Sequence, residues 1–288
     1  MASVYEIVTE KIVKLLDEGV VPWQKPWHSG IAPRNTDGRK YRGVNAFLLG
    51  VQPYADPRWT TFNNCRDLKG CVRSGSKGTQ VVFWKSWKVG GEDEELSEKT
   101  IPLLRYYTVF NVEQTTLVKD GALPAHEEPW LAESPIIVAE GVIANMPNPP
   151  GIDLTGHSAY YAPTVDAVVV PPMGRFDRPD DFYSTLFHEL AHSTGHEKRL
   201  NRQDSSMRRN FSSEAYGREE LVAEFAAAFV CNEIGIDRTV DNPASYIANW
   251  RQAIVGDPKA VVMAASRAQK AADYIQGRYV PKTKEEAR

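Results

Sequence analysis

The chain has 288 residues, 42% hydrophobic and 25% charged, with a net charge of -3. These are the proportions of a globular protein rather than a disordered or collagen-like one. No apolar run approaches the roughly 18 residues of a membrane span, and the N-terminus, MASVYEIVTEK, lacks a charged segment followed by an apolar one. A cytoplasmic protein with no membrane partner is expected.

In chain order, residues 4 to 18, VYEIVTEKIVKLLDE, place Val4, Ile7, Ile12, Leu15 and Leu16 near helical spacing, with Gly19 as the stop. A loop rich in Pro, Trp and Gly follows. Strand patterns come next: WTTF at 59–62, TQVVFW at 79–84 and LLRYYTVFNV at 103–112. Between the last two, GGEDEELSEKT is an acidic run suited to an exposed hairpin loop and, by its sign, not to a nucleic-acid contact. The cysteines are three, an odd and sparse set that points to reduced thiols. Cys65 and Cys71, in CRDLKGC, have five residues between them, against the two to four of a zinc knuckle, and no second pair follows.

Charge divides the chain unevenly. Residues 1 to 90 carry 14 Lys+Arg against 7 Asp+Glu, and the remainder 20 against 30. Five of the seven tryptophans (Trp23, Trp27, Trp59, Trp84, Trp87) also fall in this basic third. Flat rings among cations suit unpaired nucleic acid, because exposed bases stack while Lys and Arg follow the phosphates. The candidate contacts are Trp23, Lys25, Trp27, Arg39, Lys40, Arg42, Arg73 and Lys77. Against this, any single Trp is by frequency more often a core residue than a platform.

Residues 120 to 134, DGALPAHEEPWLAES, cluster Pro, Gly and charge without periodicity and mark the better domain boundary. Beyond it IIVAEGVIA suits a strand or a short helix, and SAYYAPTVDAVVVPP suits two strands around a turn, one of them a possible edge of a cleft. From about residue 180 the pattern is helical: FYSTLFHELAHS, REELVAEFAAAFVCNEIG, PASYIANWRQAIVG and DPKAVVMAASRAQKAADYIQG.

HELAHSTGH, residues 188 to 196, holds three of the six histidines. Asp180 is placed to cap this helix. His188 and His192 fall about 40° apart on the helical wheel and roughly 6 Å apart along the axis, side by side as two imidazoles must be to hold one ion. Glu189 sits where it can reach a water on that ion. His196 lies about 12 Å further along a continued helix, too far to join them. The pattern HExxHxxGxxH would need its third histidine at 198, which is Lys198. The third ligand therefore comes from elsewhere, and EELVAEF offers Glu220 and Glu224 on one helical face. One carboxylate can complete a His₂Glu site and the other can fix a ligand histidine's tautomer. The spacing resembles thermolysin-like gluzincins, and that resemblance favours Glu220 as ligand and Glu224 as its support, with Glu219 a substitute. Zinc is the expected ion. Glu189 would be the general base, and Tyr160, Tyr161, Tyr216 and His196 are candidates to hold an oxyanion.

The whole chain resembles the ArdC-type antirestriction proteins of conjugative plasmids and related mobile elements. The resemblance rests on GVVPWQKPW, PRNTDGRKYRGVNAFLL, WTTFNNCRDLKGCVRSGSKGTQVVFWK and YYTVFNVEQT, then on AYYAPTVDAVVVPP, FHELAHSTGHEKRLNR and YGREELVAEFAAAFVCNEIGI. CRDLKGC departs from it in its cysteines. The resemblance implies an α+β fold of two domains: a small N-terminal α/β domain binding single-stranded DNA, residues 1–125, and a mostly helical zincin-like (gluzincin) metallopeptidase domain with a small sheet, residues 126–288. It implies a factor that shields incoming DNA from host restriction, with single-stranded DNA and a protein or peptide substrate as partners. The competing expectation is a non-enzymatic DNA-binding protein whose zinc is structural. The sequence sets no oligomeric state.

Overall fold

Ser3 opens helix α1 (Val4–Asp17) with a reciprocal cap: its hydroxyl accepts from the Glu6 amide while the Glu6 carboxylate accepts from the Ser3 amide. Gly19, at φ 75°, supplies the left-handed turn after the helix. The computed structural model describes residues 3–24, 31–89, 99–127, 133–202, 214–238 and 244–279, with no side-chain description at 84–89, 99–103, 214–216, 244–246 and 249.

Four strands, β1 (Arg34–Asn35), β2 (Arg58–Thr61), β3 (Thr79–Val89) and β4 (Lys99–Asn111), form a sheet in the order β1-β2-β4-β3. β1 and β2 run parallel; the other neighbours are antiparallel. The edge of β3 is covered rather than open: Asn45, on helix α2 (Val44–Gly50), accepts from the Val82 amide at 2.8 Å and donates to the Val82 carbonyl at 2.7 Å. Helix α3 (Phe62–Asp67) follows β2, capped by the Thr61 hydroxyl. Neither α2 nor α3 is announced by the sequence pattern, since seven residues are too few to display a helical stripe.

Past the proposed boundary come α4 (Pro135–Ala144) and a three-stranded sheet, β5 (Gly151–Asp153), β6 (Tyr160–Ala162) and β7 (Ala167–Val169), in the order β5-β7-β6. IIVAEGVIA is thus the short helix of the two options. β6 is an edge strand antiparallel to β7, and β5 is parallel to it. The remaining helices are α5 (Pro179–Ser193), α6 (Glu214–Ile234), α7 (Ala244–Gly256) and α8 (Ala260–Ile275). Asp180 does not cap α5, whose N-cap is Arg178. The helix starts two residues earlier because Pro179 suits its first residue, and the Asp180 carboxylate instead accepts from the Asp237 amide at 2.8 Å.

The two segments share one core. α6 and α8 pack together and both are rich in buried alanines, Ala223, Ala226 and Ala227 on one and Ala264, Ala268 and Ala272 on the other, small side chains that let helices approach closely. On α6, Phe225 and Phe229 reach into an aromatic cluster with Trp23, Phe47 and Trp250: Trp23 lies 4.7 Å from Phe225 and 5.4 Å from Trp250, and Phe47 stacks on Phe229 at 4.6 Å. Thr9 donates to the Pro258 carbonyl, and the Gly43 amide to the Gln269 side chain. A separate small cluster, Leu49, Trp59, Val81 and Val109, covers part of one face of the four-stranded sheet.

Among the described residues no helix is long and apolar enough to cross a membrane.

Candidate metal centre

α5 carries its apolar residues inward, with Phe182, Leu186, Phe187, Leu190 and Ala191 buried, and this fixes which way His188 and His192 leave the core. Both imidazoles turn their Nε2 atoms toward one point. These atoms are 3.1 Å apart, and each lies 3.5 Å from an oxygen of Glu220 on α6. Tetrahedral coordination at Zn–N and Zn–O distances near 2.1 Å puts neighbouring ligand atoms about 3.4 Å apart. The three side chains therefore stand at the separations that one small divalent cation requires. They are also the cluster of His, Cys, Asp and Glu side chains that meets metal-ligand proximity among the described residues.

Behind each imidazole stands a carboxylate held by an arginine. His188 Nδ1 is 3.3 Å from Glu224 Oε1, whose other oxygen accepts from Arg238 at 3.0 Å; the Nδ1 contact falls short of hydrogen-bond alignment. His192 Nδ1 is 3.8 Å from Glu219 Oε1, and Glu219 takes three contacts from Arg202, the shortest 2.8 Å. Each guanidinium is anchored in turn. Arg238 donates to the Ser184 hydroxyl and the Glu224 carbonyl, and Arg202 to the Thr194 hydroxyl and the Ala191 carbonyl at the end of α5. A carboxylate behind a ligand imidazole fixes its tautomer and raises its basicity.

The electrostatics express the same surplus of negative charge. Burial opposes the charged form of Glu224, but Arg238 and His188 override it and hold its carboxyl at about 2. Burial likewise opposes ionisation of Glu219, and Arg202 and His192 hold it below the usual carboxylate range. Burial disfavours the His188 imidazolium, yet Glu220 and Glu224 raise its pKa well above the ordinary value. Carboxylates converging on two imidazoles make a pocket that calls for a cation.

Glu189 is buried on the same turn of α5, close enough to His188 to favour its charged form. His196 does not approach the Nε2 atoms. It is buried at the end of α5, where Nδ1 accepts from the Lys198 amide, beside a second network in which Arg199, its side chain wholly buried, pairs with Asp166. Arg199 also donates to the Ser193 and Asn148 carbonyls, and the Tyr161 hydroxyl donates to Asp166 at 2.9 Å. Tyr161 is thereby committed, with Arg199, to tying the end of α5 to the β6–β7 turn, and His196 Nδ1 to the Lys198 amide. Tyr160 is half-exposed on β6, and the side chain of Tyr216 lies outside the described residues.

The nucleic-acid candidates separate into four groups. Trp23 is a correction: it is fully buried, walled in by Phe47, Phe225 and Trp250, and presents no face to a base. Its neighbours Lys25 and Trp27 lie outside the described residues. Lys40 and Arg42 point at the helical segment, pairing with Glu233 and Asp273. Arg39, Arg73 and Lys77 are exposed, with no ion pair among the described residues. Spacing singled out the three side chains that the structure brings together, but it missed Glu219 as a support, Arg202 and Arg238 as the counter-charges of Glu219 and Glu224, and the Arg199–Asp166 pair. A buried carboxylate announces that some cation must face it, without saying which of 34 Lys+Arg does.

Residues 2–110 match the family model described as the N-terminal domain of anti-restriction factor ArdC, and residues 140–267 the one described as a zincin-like metallopeptidase. Two proteins named DNA primase TraC from Escherichia coli are each 34% identical over 94% of this chain, which spans 27% and 20% of their lengths. The y4eC protein of Sinorhizobium fredii is 34% identical over 99% of the chain and 95% of its own length. Crystal structures of the antirestriction ArdC protein of plasmid R388, metal-free and Mn(II)-bound, are 33% identical, cover 96% of this chain and 98% of theirs, and superpose with TM-scores of 0.76 and 0.77.

Proposed function

The chain belongs to the ArdC antirestriction family, and from that premise we propose that it binds single-stranded DNA through its basic N-terminal segment, uses zinc at a peptidase centre, and protects incoming DNA of a mobile element from host restriction in the cytoplasm. The observation that carries the reading is the meeting of His188, His192 and Glu220 at tetrahedral separations, each imidazole backed by a Glu–Arg pair. The N-terminal segment supports it by its excess of cations, and the relatives named DNA primase are proteins that work on DNA.

In the proposed hydrolysis His188, His192 and Glu220 hold the ion, which when bound supplies Lewis acidity and lowers the pKa of water. The work of the chain's own residues follows from their placement. Glu189 accepts a proton from the attacking water at its carboxylate and returns it to the leaving nitrogen. Glu224 and Glu219, fixed by Arg238 and Arg202, keep both imidazoles turned with Nε2 toward the ion. The edge strand β6, with its exposed Tyr160, offers backbone groups along which an extended peptide can pair. Partial exposure of all three ligand side chains, 14 to 23%, leaves the ion within reach of a substrate.

A second reading has support in the fact that the ligands come from two packed helices: the ion could serve only to fasten α5 to α6. Glu189→Ala separates the two. With metal content and DNA binding retained, loss of peptide cleavage supports the hydrolytic reading, and unchanged cleavage removes Glu189 from the mechanism. Protection of transferred DNA that survives the substitution intact favours the fastening role.

A further inference from the structure

We infer that the base platform for single-stranded nucleic acid is an aromatic corner formed by Phe83 and Tyr107 on the four-stranded sheet, with Arg105 beside it to meet the phosphate. This rests on the proposed nucleic-acid reading of the N-terminal segment and gives it a location.

In the β3–β4 ladder Phe83 pairs with Arg105 and Val81 with Tyr107, so all four belong to one face of the sheet. Toward the start of β3 and the end of β4 that face is closed: Val81 and Val109 are fully buried with Leu49 and Trp59. Phe83 and Tyr107 stand where this cover ends, 41% and 46% exposed. Their centroids are 5.2 Å apart and their planes meet at 78°, so a base lying flat on one ring abuts the edge of the other. Arg105 is exposed and has no ion pair among the described residues, which leaves its guanidinium available to a phosphate or to a base face. Trp23 and Trp59 are both buried and cannot serve. Lys77 and Arg73, exposed and likewise without ion pairs among the described residues, precede β3. Lys77 is six residues from Phe83, about 20 Å along an extended chain, a span within the several nucleotides that one such surface accommodates.

The test is fluorescence anisotropy of a labelled oligothymidylate against the full-length, metal-loaded protein, with an abasic strand of the same length as a second probe. Phe83→Ala with Tyr107→Ala should weaken oligothymidylate binding by about 10-fold or more and leave abasic-strand binding unchanged. Arg105→Ala should lower the salt slope by about one on both strands. The pair Phe83→Leu with Tyr107→Leu keeps apolar bulk in the ladder and guards against misfolding; it should show the same loss. If the wild type binds and either aromatic variant binds within about twofold of it, or if the Leu pair alone restores binding, the platform is overturned while the nucleic-acid reading stands. Failure of the wild type to bind either strand overturns both.

Discussion

Arg238 offers a quantitative probe of the centre. Its guanidinium donates to Ser184 Oγ at 2.9 Å, the Glu224 carbonyl at 2.9 Å and Glu224 Oε2 at 3.0 Å, with only 6% of the side chain exposed and 15% of its partner's. Arg238→Met keeps the stem and removes the charge, leaving a buried carboxylate without its cation, a loss of about 3–5 kcal/mol. At about 2–4 °C per kcal/mol for a chain of this class, melting of the metal-free protein should fall by roughly 6–20 °C. The pH dependence has a definite sign. In the wild type Glu224 is held at about 2 against an ordinary 4.5, so its contribution is complete above 4.5 and is lost as pH falls toward 2. Without Arg238 burial raises that carboxyl, the folded variant takes up a proton more readily than the unfolded chain, and the gap from wild type narrows as pH drops. Glu224→Gln added to Arg238→Met should recover much of the loss, since an amide needs no counter-charge. Metal affinity of Arg238→Met should fall about 10- to 100-fold, because the Glu224 carboxylate that orients His188 loses its anchor. Thermal unfolding in chelator between pH 5 and 8, with a competitive metal titration, measures all of this. Melting within about 2 °C of wild type at pH 7, with unchanged metal affinity, would refute the reasoning.

Four further outcomes follow from the same geometry. Glu189→Gln should retain the metal and lose at least about 100-fold in peptide hydrolysis, read from kcat on a fluorogenic peptide. Metal affinity should weaken by about tenfold per pH unit once pH falls below the raised pKa of His188, since the ion must displace that proton; competition titrations from pH 6 to 9 will show it, and a flat profile would contradict it. Trp23→Ala should cost about 3–5 kcal/mol in denaturant unfolding while leaving the salt slope of DNA binding unchanged, as befits a core residue rather than a platform. A fragment of residues 126–288 should bind a hydrophobic dye or precipitate, having lost the partners of Phe225 and Phe229; a fragment that unfolds cooperatively and holds metal would show the two cores to be separable.

The candidate ligands were legible because an α-helix converts spacing into direction. Residues four apart share a face, so HELAH names two imidazoles and EELVAE a pair of carboxylates before any fold is known. Three strands of the first sheet were legible as short runs of β-branched and aromatic residues, and β6 and β7 by a turn between short apolar runs, whereas the two-residue β1 lies in a stretch that reads as a loop. What composition could not supply was the environment of each aromatic. Trp23 reads as an aromatic beside cations, but it is pressed between Phe225 and Trp250, while Phe83, which the pattern does not single out, is exposed on the sheet. The contacts that bury Trp23 come from residues about 200 positions away in sequence. Nor could the sequence show that Lys40 and Arg42 pair with Glu233 on α6 and Asp273 on α8.

Those contacts bear on how the two halves of the protein can act. α6 presents Glu219, Glu220 and Glu224 to α5 on one side and Phe225 and Phe229 to Trp23 and Phe47 on the other, so the helix that completes the metal centre is also the wall of the N-terminal core. Protein interiors are close-packed and do not deform gradually, so a shift of Phe225 large enough to open that cluster would also move Glu224, one residue away. The loop carrying Lys40 and Arg42 is bonded to α6 and α8 by ion pairs with exposed cations, contacts weak enough to exchange at modest cost. The burial of Trp23 thus holds the halves as one body, while the rim of that interface remains the part that can rearrange.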